Sequence, residues 1–155
     1  MATGMENKAR RGALNDLPFL VQLENISFGS DAFSRRQLRY LLTEANADVI
    51  ILGSKGDVKG AAVMLWRKRS RVGHLYSIVI DPRHRGKGLG ESLLELCEKA
   101  ARDHKCDRVT FEVRSDNRTA IGLYTKFGYR IVKELPGYYT DGRNGVRMLK
   151  NLSSK

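Results

Sequence analysis

The chain has 155 residues, a formal net charge of +11 and a sequence pI near 10.0, and 41% of its residues are hydrophobic. These values predict a single domain, residues 1–155, and they exclude disordered and fibrous classes. No apolar run reaches the roughly 18 residues of a membrane span, and the first residues lack a secretory signal. The cysteines, Cys97 and Cys106, fit neither a disulfide framework nor a zinc motif, so we expect a cytoplasmic protein without a metal.

The net positive charge indicates an anionic ligand or partner: a phosphorylated cofactor, nucleic acid or an acidic protein surface. A basic surface that only aids solubility is the alternative. The sequence carries no signal for an oligomeric state.

The first half of the chain predicts two helices followed by strands. After a flexible end at residues 1–9, Asn15 or Asp16 can cap a helix that has Pro18 in its first turn. A second helix follows Ser34, another capping residue. The next strand candidates are DVIILG and VKGAAVMLWRKR, separated by the turn cluster SKGD, and then VGHLYSIVID.

The second half alternates helix and strand. A long helix begins at Leu89, a short helix follows the capping segment SDN and ends at Gly128, and two strands close the chain before a flexible end at 151–155. The strand–helix–strand crossover from 72 to 114 implies a parallel strand pair in an α/β domain. Within that crossover, the strand DRVTFEVR has two faces: Val109, Phe111 and Val113 on one, and Thr110, Glu112 and Arg114 on the other.

A glycine-rich basic turn, DPRHRGKGLG (residues 81–90), joins the third strand to the long helix. It matches neither the dinucleotide fingerprint nor the Walker loop. Its glycines and the following helix N-terminus still favour a bound anion, because they present backbone N–H groups beside the charges of Arg85 and Lys87. A plain connection is the alternative.

These residues resemble a known family. The run from IDP through RGKGLG is similar to the acetyl-CoA motif of the GCN5-related N-acetyltransferase (GNAT) superfamily, with Arg85, Gly88 and Gly90 in register. FEVRSDNRTAIGLYTKFGY resembles a second family pattern. PGYYTDGRNGVRM resembles the substrate loop of the branch that acetylates protein N-termini, which includes the ribosomal-protein alanine acetyltransferases.

The resemblance implies a mostly antiparallel mixed sheet with one splayed parallel pair and about four flanking helices. It implies that the glycine turn binds the pyrophosphate of acetyl-CoA and that the preceding strand edge pairs with the pantetheine arm. The implied coenzyme-binding residues are Ile78, Val79, Ile80, Arg85, Gly86, Lys87, Gly88, Gly90, Glu91, Ser92 and Asn117.

Two residues match the family's catalytic positions. Glu112 matches the general base of the ribosomal-protein acetyltransferases, acting through water, and its alternative role is an ion pair with Arg114. Tyr124 matches the general acid, and its alternative role is an aromatic core residue. Asn117 could also cap the short helix. The histidines, His74, His84 and His104, have no metal-ligand spacing and are interpreted as surface or strand residues.

The resemblance places the acceptor between the loops SFGSDAF and PGYYTDG, with Phe28, Phe33, Tyr138 and Tyr139 as candidates for its walls. We expect a peptide or protein α-amine, because its pKa of about 8, against about 10.4 for lysine, makes deprotonation roughly 3 kcal/mol easier.

The chain departs from the N-terminal branch after the loop sequence DG. There it has Arg143 and Asn144, where that branch usually has an acidic pair. If Arg143 and Lys133 line the cleft, they should favour an acidic acceptor.

Two other hypotheses stay open. One is a lysine or small-molecule amine acetyltransferase on the same scaffold, although polycationic substrates would be repelled by so basic a chain. The other is a basic module that binds RNA or the ribosome and has a vestigial acetyl-CoA site. Against the latter, the chain lacks an aromatic-rich basic strand of the kind that stacks bases.

Overall fold

The computed structural model describes residues 8–29, 32–54 and 56–152. Within these residues, seven strands form one sheet in the order β1-β2-β3-β4-β5-β7-β6. The strands are β1 (Ala9–Arg11), β2 (Ala47–Ser54), β3 (Asp57–Leu65), β4 (Val72–Ile80), β5 (Arg108–Arg114), β6 (Arg130–Leu135) and β7 (Gly145–Asn151). The α-helices are α1 (Leu17–Phe28), α2 (Arg35–Thr43), α3 (Leu89–Asp103) and α4 (Arg118–Lys126).

The central strands β4 and β5 form the parallel pair that the crossover predicts; the other pairings in the described sheet are antiparallel. Their ladder is short, joining Val72–His74 to Arg108–Thr110. Beyond it, residues 75–78 and 111–114 line the two sides of a cleft. This confirms the expected fold class, a mixed sheet with a splayed parallel pair and four helices.

Helices cover both faces of the sheet. The side chains of a strand alternate between the two faces, so apolar residues of one strand pack under helices on either side. In β2, Val49 and Ile51 belong to the apolar cluster beneath α1 and α2, whereas Leu52 belongs to the cluster beneath α3. Strand β5 follows the predicted alternation, with Val109 fully buried and Glu112 part-buried on the opposite face. None of the described helices has the length and apolarity that crossing a bilayer requires.

The predicted helix caps are partly confirmed. Ser34 caps α2 by accepting a hydrogen bond from the Gln37 N–H at 3.1 Å. Asp16 precedes α1 but makes no side-chain cap to it. Its carboxylate instead accepts the Ala13 N–H at 2.8 Å and pairs with both terminal nitrogens of Arg10. The Asp16 carboxylate therefore binds the part-buried Arg10 guanidinium and the Ala13 amide instead of an amide of α1.

Strand β1 was not predicted, and Ala9, expected in a flexible end, is its first residue. At the other end, Asn151 closes β7, and the Leu152 N–H donates to the Asp107 carbonyl. Residues 1–7 and 153–155 lie outside the described residues, as does Lys55 in the predicted turn SKGD. In the short helix α4, Ile121 packs against the core, whereas Leu123 is 37% exposed.

Candidate active site

The glycine-rich turn leads into α3 at the predicted residue, Leu89. Gly86 and Gly88 have φ values of +79° and +76°, and a Cβ at either position would have no atom within 4 Å other than those of its chain neighbours. Ser92 donates the first intrahelical bond, to the Gly88 carbonyl, so the amides of the preceding first turn have no partner within the helix. The turn thus offers open space and backbone donors, which suits an anion.

The side chains of the turn contribute less than the sequence predicts. Arg85 donates from Nε to the Ile80 carbonyl at 3.2 Å, which ties the turn to the end of β4. The Ser92 hydroxyl donates to the Gly88 carbonyl at 3.2 Å. Lys87 is exposed, and Glu91 lies in the first turn of α3. The backbone amides are therefore the main candidate donors.

The cleft between β4 and β5 has a volume of about 1070 Å³. Residues predicted to bind coenzyme and residues predicted to catalyse meet there: Ile78 on the β4 wall, Glu112 on the β5 wall, and Asn117 and Tyr124 from α4. Val79 and Ile80 complete β4, whose other edge pairs with β3. In addition, the Asn117 Oδ1 accepts the Ala120 N–H at 3.1 Å, so the residue also caps α4.

Glu112 is held between two partners that the sequence did not reveal. Its Oε1 accepts a hydrogen bond from His74 Nε2 at 2.7 Å, and its Oε2 accepts one from Arg147 Nε at 2.9 Å. The expected alternative, a pair with Arg114, is wrong: Arg114 binds Asp141 at 2.9 Å. His74, interpreted as a plain strand residue, is thus part of the site. Glu112 and Arg147 are opposite each other in the β5–β7 register, a relation that the sequence alone does not specify.

The pKa of Glu112 reflects opposing effects. Burial raises it, but the hydrogen bonds and charges of His74 and Arg147 outweigh burial and lower the pKa below its usual value. Glu112 is therefore ionised at neutral pH. A carboxylate in this state is ready to accept a proton, although a lowered pKa weakens it as a base.

Tyr124 reaches the cleft from α4 and packs its ring edge against Phe111, with centroids 4.6 Å apart. Burial, with a smaller contribution from Cys97, raises the pKa of its hydroxyl. Tyr124 is therefore protonated at neutral pH, as a proton donor must be.

Aromatic residues line the far end of the cleft. Phe33, after α1, contacts Tyr76 edge-on with ring centroids 4.9 Å apart, and Tyr138 contacts Tyr139 in the same way at 5.1 Å. The Arg114 guanidinium lies over the Tyr139 ring, 4.4 Å from its centroid. The predicted wall residue Phe28 also lines the cleft. Within the loop SFGSDAF, Ser30 and Asp31 lie outside the described residues.

The expected role of two cations in the cleft is wrong. Among the described residues that line the cleft, neither Arg143 nor Lys133 is present. Arg143 is 65% exposed and binds Asp116 at 3.1 Å, with Asp141 also near. Its charge is therefore already compensated by the chain's own carboxylates.

The remaining histidines lie away from the cleft lining. His104 stacks on Trp66 with ring centroids 3.9 Å apart and contacts Asp48, and His84 ends a short 3₁₀ turn before the glycines. The part of the chain that the structure describes contains no group of three or more His, Cys, Asp or Glu side chains arranged to hold a metal ion.

Comparisons with known proteins agree with this geometry. Residues 17–129 match the model of the acetyltransferase (GNAT) family. The chain is 30% identical to a putative ribosomal protein bS18 alanine N-acetyltransferase of Bacillus subtilis, over 88% of this chain and 91% of that protein. It is 39% identical to an N-alpha-acetyltransferase of Saccharolobus solfataricus, over 53% of this chain and 50% of that protein. The matched region thus spans only about half the length of the archaeal relative.

Among solved structures, the ribosomal-protein-S18-alanine N-acetyltransferase of Escherichia coli superimposes with a TM-score of 0.84 at 24% identity, covering 96% of each chain. That likeness shows the fold. Since the family model covers most of the chain, and both the glycine turn and the splayed strands are present, this protein belongs to the acetyltransferase (GNAT) family.

Proposed function

We propose that this protein is an acetyl-CoA-dependent N-acetyltransferase whose preferred acceptor is the α-amine of a peptide or protein N-terminus. One observation carries the proposal: a single cleft brings together the ionised Glu112, the protonated Tyr124 and Ile78 of β4, the strand that leads into the open glycine turn. Acetyl-CoA is the co-substrate, and the proposed chemistry uses no metal.

The residues present fit acetyl-CoA where β4 meets α3. Open space lies beside Gly86 and Gly88, where a pyrophosphate can lie, and the first-turn amides of α3 and the helix dipole favour its charge. The edge of Ile78, Val79 and Ile80 that faces the cleft can hydrogen-bond an extended amide-containing arm, as an added strand would. When bound, acetyl-CoA supplies a thioester carbonyl for attack by the amine and a sulfur leaving group.

Glu112 takes the proton that the attacking amine must lose, through water. His74 bonds the Oε1 atom of Glu112 and Arg147 bonds its Oε2 atom, and the two contacts hold the carboxylate in one orientation towards the cleft. Tyr124 would give its hydroxyl proton to the leaving sulfur. Glu112 gains one proton and Tyr124 loses one, and exchange of that proton with solvent restores both groups.

The acceptor class follows from the aromatic end of the cleft. Phe33, Tyr138 and Tyr139 can hold the first residues of a chain by its backbone while contacting little of its sequence, and the lower pKa of an α-amine suits a weak base. A lysine or small-molecule amine is the alternative acceptor on the same scaffold.

Short peptides test the acceptor directly. Peptides with a free N-terminus should be acetylated whether or not they contain lysine, and matched peptides with a blocked N-terminus should not. Mass spectrometry locates the added acetyl group. Transfer to lysine in blocked peptides, with none to free N-termini, would refute the α-amine acceptor.

Gly90 tests the coenzyme site. Its backbone φ is ordinary, and a Cβ there would meet only Ile80 Cγ1, at 3.9 Å. Gly90→Leu should therefore fold normally while its side chain obstructs the turn, weakening acetyl-CoA binding by about 10-fold or more in calorimetry. Gly90→Ala is the matched control: its single methyl group makes only that ordinary contact with Ile80, so affinity should be kept. Equal affinities for the Leu variant and wild type would place the coenzyme elsewhere.

The basic surface supports a further partner. At the end of β4 and β5 away from the cleft, the turn at 67–71 contacts the segment at 104–108, since the Asp107 N–H donates to the Arg71 carbonyl at 2.8 Å. Exposed cations gather there, including Arg67, Lys68, Arg69 and Lys105. We propose this region as a contact for the ribosome or another acidic partner, consistent with a cytoplasmic protein that meets new N-termini.

A further inference from the structure

Glu24 is an unusual buried acid in this chain. It lies in α1 and is 5% exposed. The other buried acids are each paired with a cation, Asp16 with Arg10 and Glu98 with Lys150. Glu24 instead accepts hydrogen bonds from neutral groups: the Phe33 N–H at 3.0 Å and the Ser77 hydroxyl at 2.9 Å.

Such a residue costs stability. Burial raises the pKa of Glu24, and the two hydrogen bonds oppose this without cancelling it. A folded-state pKa above the unfolded value means that the ionised form disfavours folding at neutral pH, a cost that is absent below the unfolded pKa. An apolar side chain would fill the same space more cheaply. The carboxylate therefore needs a reason other than packing.

The two donors belong to two different elements that line the acceptor end of the cleft. Phe33 ends the loop between α1 and α2, and Ser77 lies in β4. In the β3–β4 register, Val63 is opposite Ser77 and Met64 is opposite Leu75, which leaves Tyr76 as the bulged residue. The Phe33 and Tyr76 rings meet edge-on. One carboxylate thus joins the Phe33 backbone to the side chain of Ser77, the residue that follows Tyr76.

The bulged residue Tyr76 also contacts His74, the partner of the proposed catalytic base Glu112. The Tyr76 ring lies 5.5 Å from the His74 ring, and His74 is bonded to Glu112. The coenzyme turn at 85–92, by contrast, makes no hydrogen bond or ring contact with Glu24 among the described residues. A change at Glu24 should therefore reach the acceptor and not the coenzyme.

We propose that Glu24 is a positioning residue for the acceptor, a clamp that holds the loop at Phe33 against the bulged part of β4. The proposal rests on the proposed function, because it assigns the acceptor to this end of the cleft. Without the Glu24 contacts, the loop at Phe33 is no longer held in one position relative to the Tyr76 ring. The acceptor then binds more weakly, and its amine is less often placed for transfer. Glutamine can keep both contacts, accepting from Phe33 and donating to Ser77 Oγ.

Steady-state kinetics with a free-N-terminal peptide tests the clamp. Glu24→Ala should raise the KM for peptide about 10-fold and leave the KM for acetyl-CoA within about 2-fold. Glu24→Gln should stay close to wild type in both constants, with equal or higher thermal stability. Ser77→Ala, a milder change, should give an intermediate peptide KM.

Asp16→Ala is the matched control, since it removes a buried acid from the start of the same helix, away from Phe33. It should lower the thermal midpoint and leave both KM values unchanged. A parallel rise of both KM values in Glu24→Ala, or the same split in Asp16→Ala, would overturn the clamp. So would a Gln variant as impaired as the Ala variant, because the charge itself would then be contacting the acceptor.

Amide hydrogen exchange separates this proposal from the proposed function. The Phe33 N–H should exchange faster in Glu24→Ala than in wild type, and equal rates would overturn the clamp whatever the acceptor is. Failure of the wild-type protein to acetylate any free N-terminus would refute the proposed function alone. The exchange rate of the Phe33 amide would still test whether Glu24 holds the loop.

Discussion

Glu112→Gln is expected to lower kcat for N-terminal acetylation by about 10²-fold or more, the scale usual for a general base. Glutamine keeps the shape of the side chain and a hydrogen-bond acceptor for Arg147, but it cannot take a proton from the amine. Acetyl-CoA affinity should change little, because the glycine turn is untouched. The measurement is steady-state kinetics with a free-N-terminal peptide, together with calorimetry of coenzyme binding.

Asp141→Asn is the control for this change. Asp141 is a carboxylate paired with Arg114 and near Arg143, and its loss should leave kcat within about 2-fold. Stability gives a second check. Since its folded-state pKa is lowered, Glu112 stabilises the fold above its unfolded pKa near 4.3, and this contribution is lost as pH falls through the lowered value. A Gln variant that is fully active, or that simply unfolds at neutral pH, would contradict the assignment.

Tyr124→Phe should likewise lower kcat by about 10²-fold, because the leaving sulfur loses its proton donor. The ring and its contact with Phe111 remain, so the thermal midpoint should hardly move. Rapid-mixing or steady-state assays at saturating acetyl-CoA and peptide measure the effect.

Tyr129→Phe is the matched control, since Tyr129 also packs on Phe111, with centroids 4.9 Å apart. Its hydroxyl donates to the buried Glu98 at 2.9 Å, so its loss should cost about 1–3 kcal/mol of stability. It should leave kcat near wild type. Equal kinetic losses in the two variants would mean that Tyr124 acts through packing.

Local chemistry explains what the sequence could predict. The glycines at 86, 88 and 90 and the apolar spacing after them determine where α3 begins, and the alternation in β5 places Glu112 opposite Phe111. The start of a helix and the alternation of a strand depend on residues close in sequence, so the spacing of apolar residues predicts them. The family resemblance then implied the splayed strands, which the structure has, and the roles that we propose for Glu112 and Tyr124.

The missed residues depend on pairing between distant strands. His74 is 38 residues from Glu112, and the two meet because the β4–β5 ladder sets His74 against Thr110. Arg147 meets Glu112 through the β5–β7 register. No periodicity encodes a register between strands so far apart. Arg114, the nearer cation, was the natural but wrong choice, because it turns towards Asp141 and Tyr139.

The ladder between β4 and β5 ends early, which affects the tendency of the protein to aggregate in solution. Residues 75–78 and 111–114 present strand edges to the cleft, and an open edge is a template for intermolecular pairing and aggregation. On the proposed function, bound coenzyme covers the β4 edge and, at about 100 times its Kd, adds about 2.7 kcal/mol to the free energy of unfolding. The same ligand would then supply the acetyl group and protect the chain from association, so depletion of acetyl-CoA and free CoA would expose the enzyme to inactivity and aggregation together.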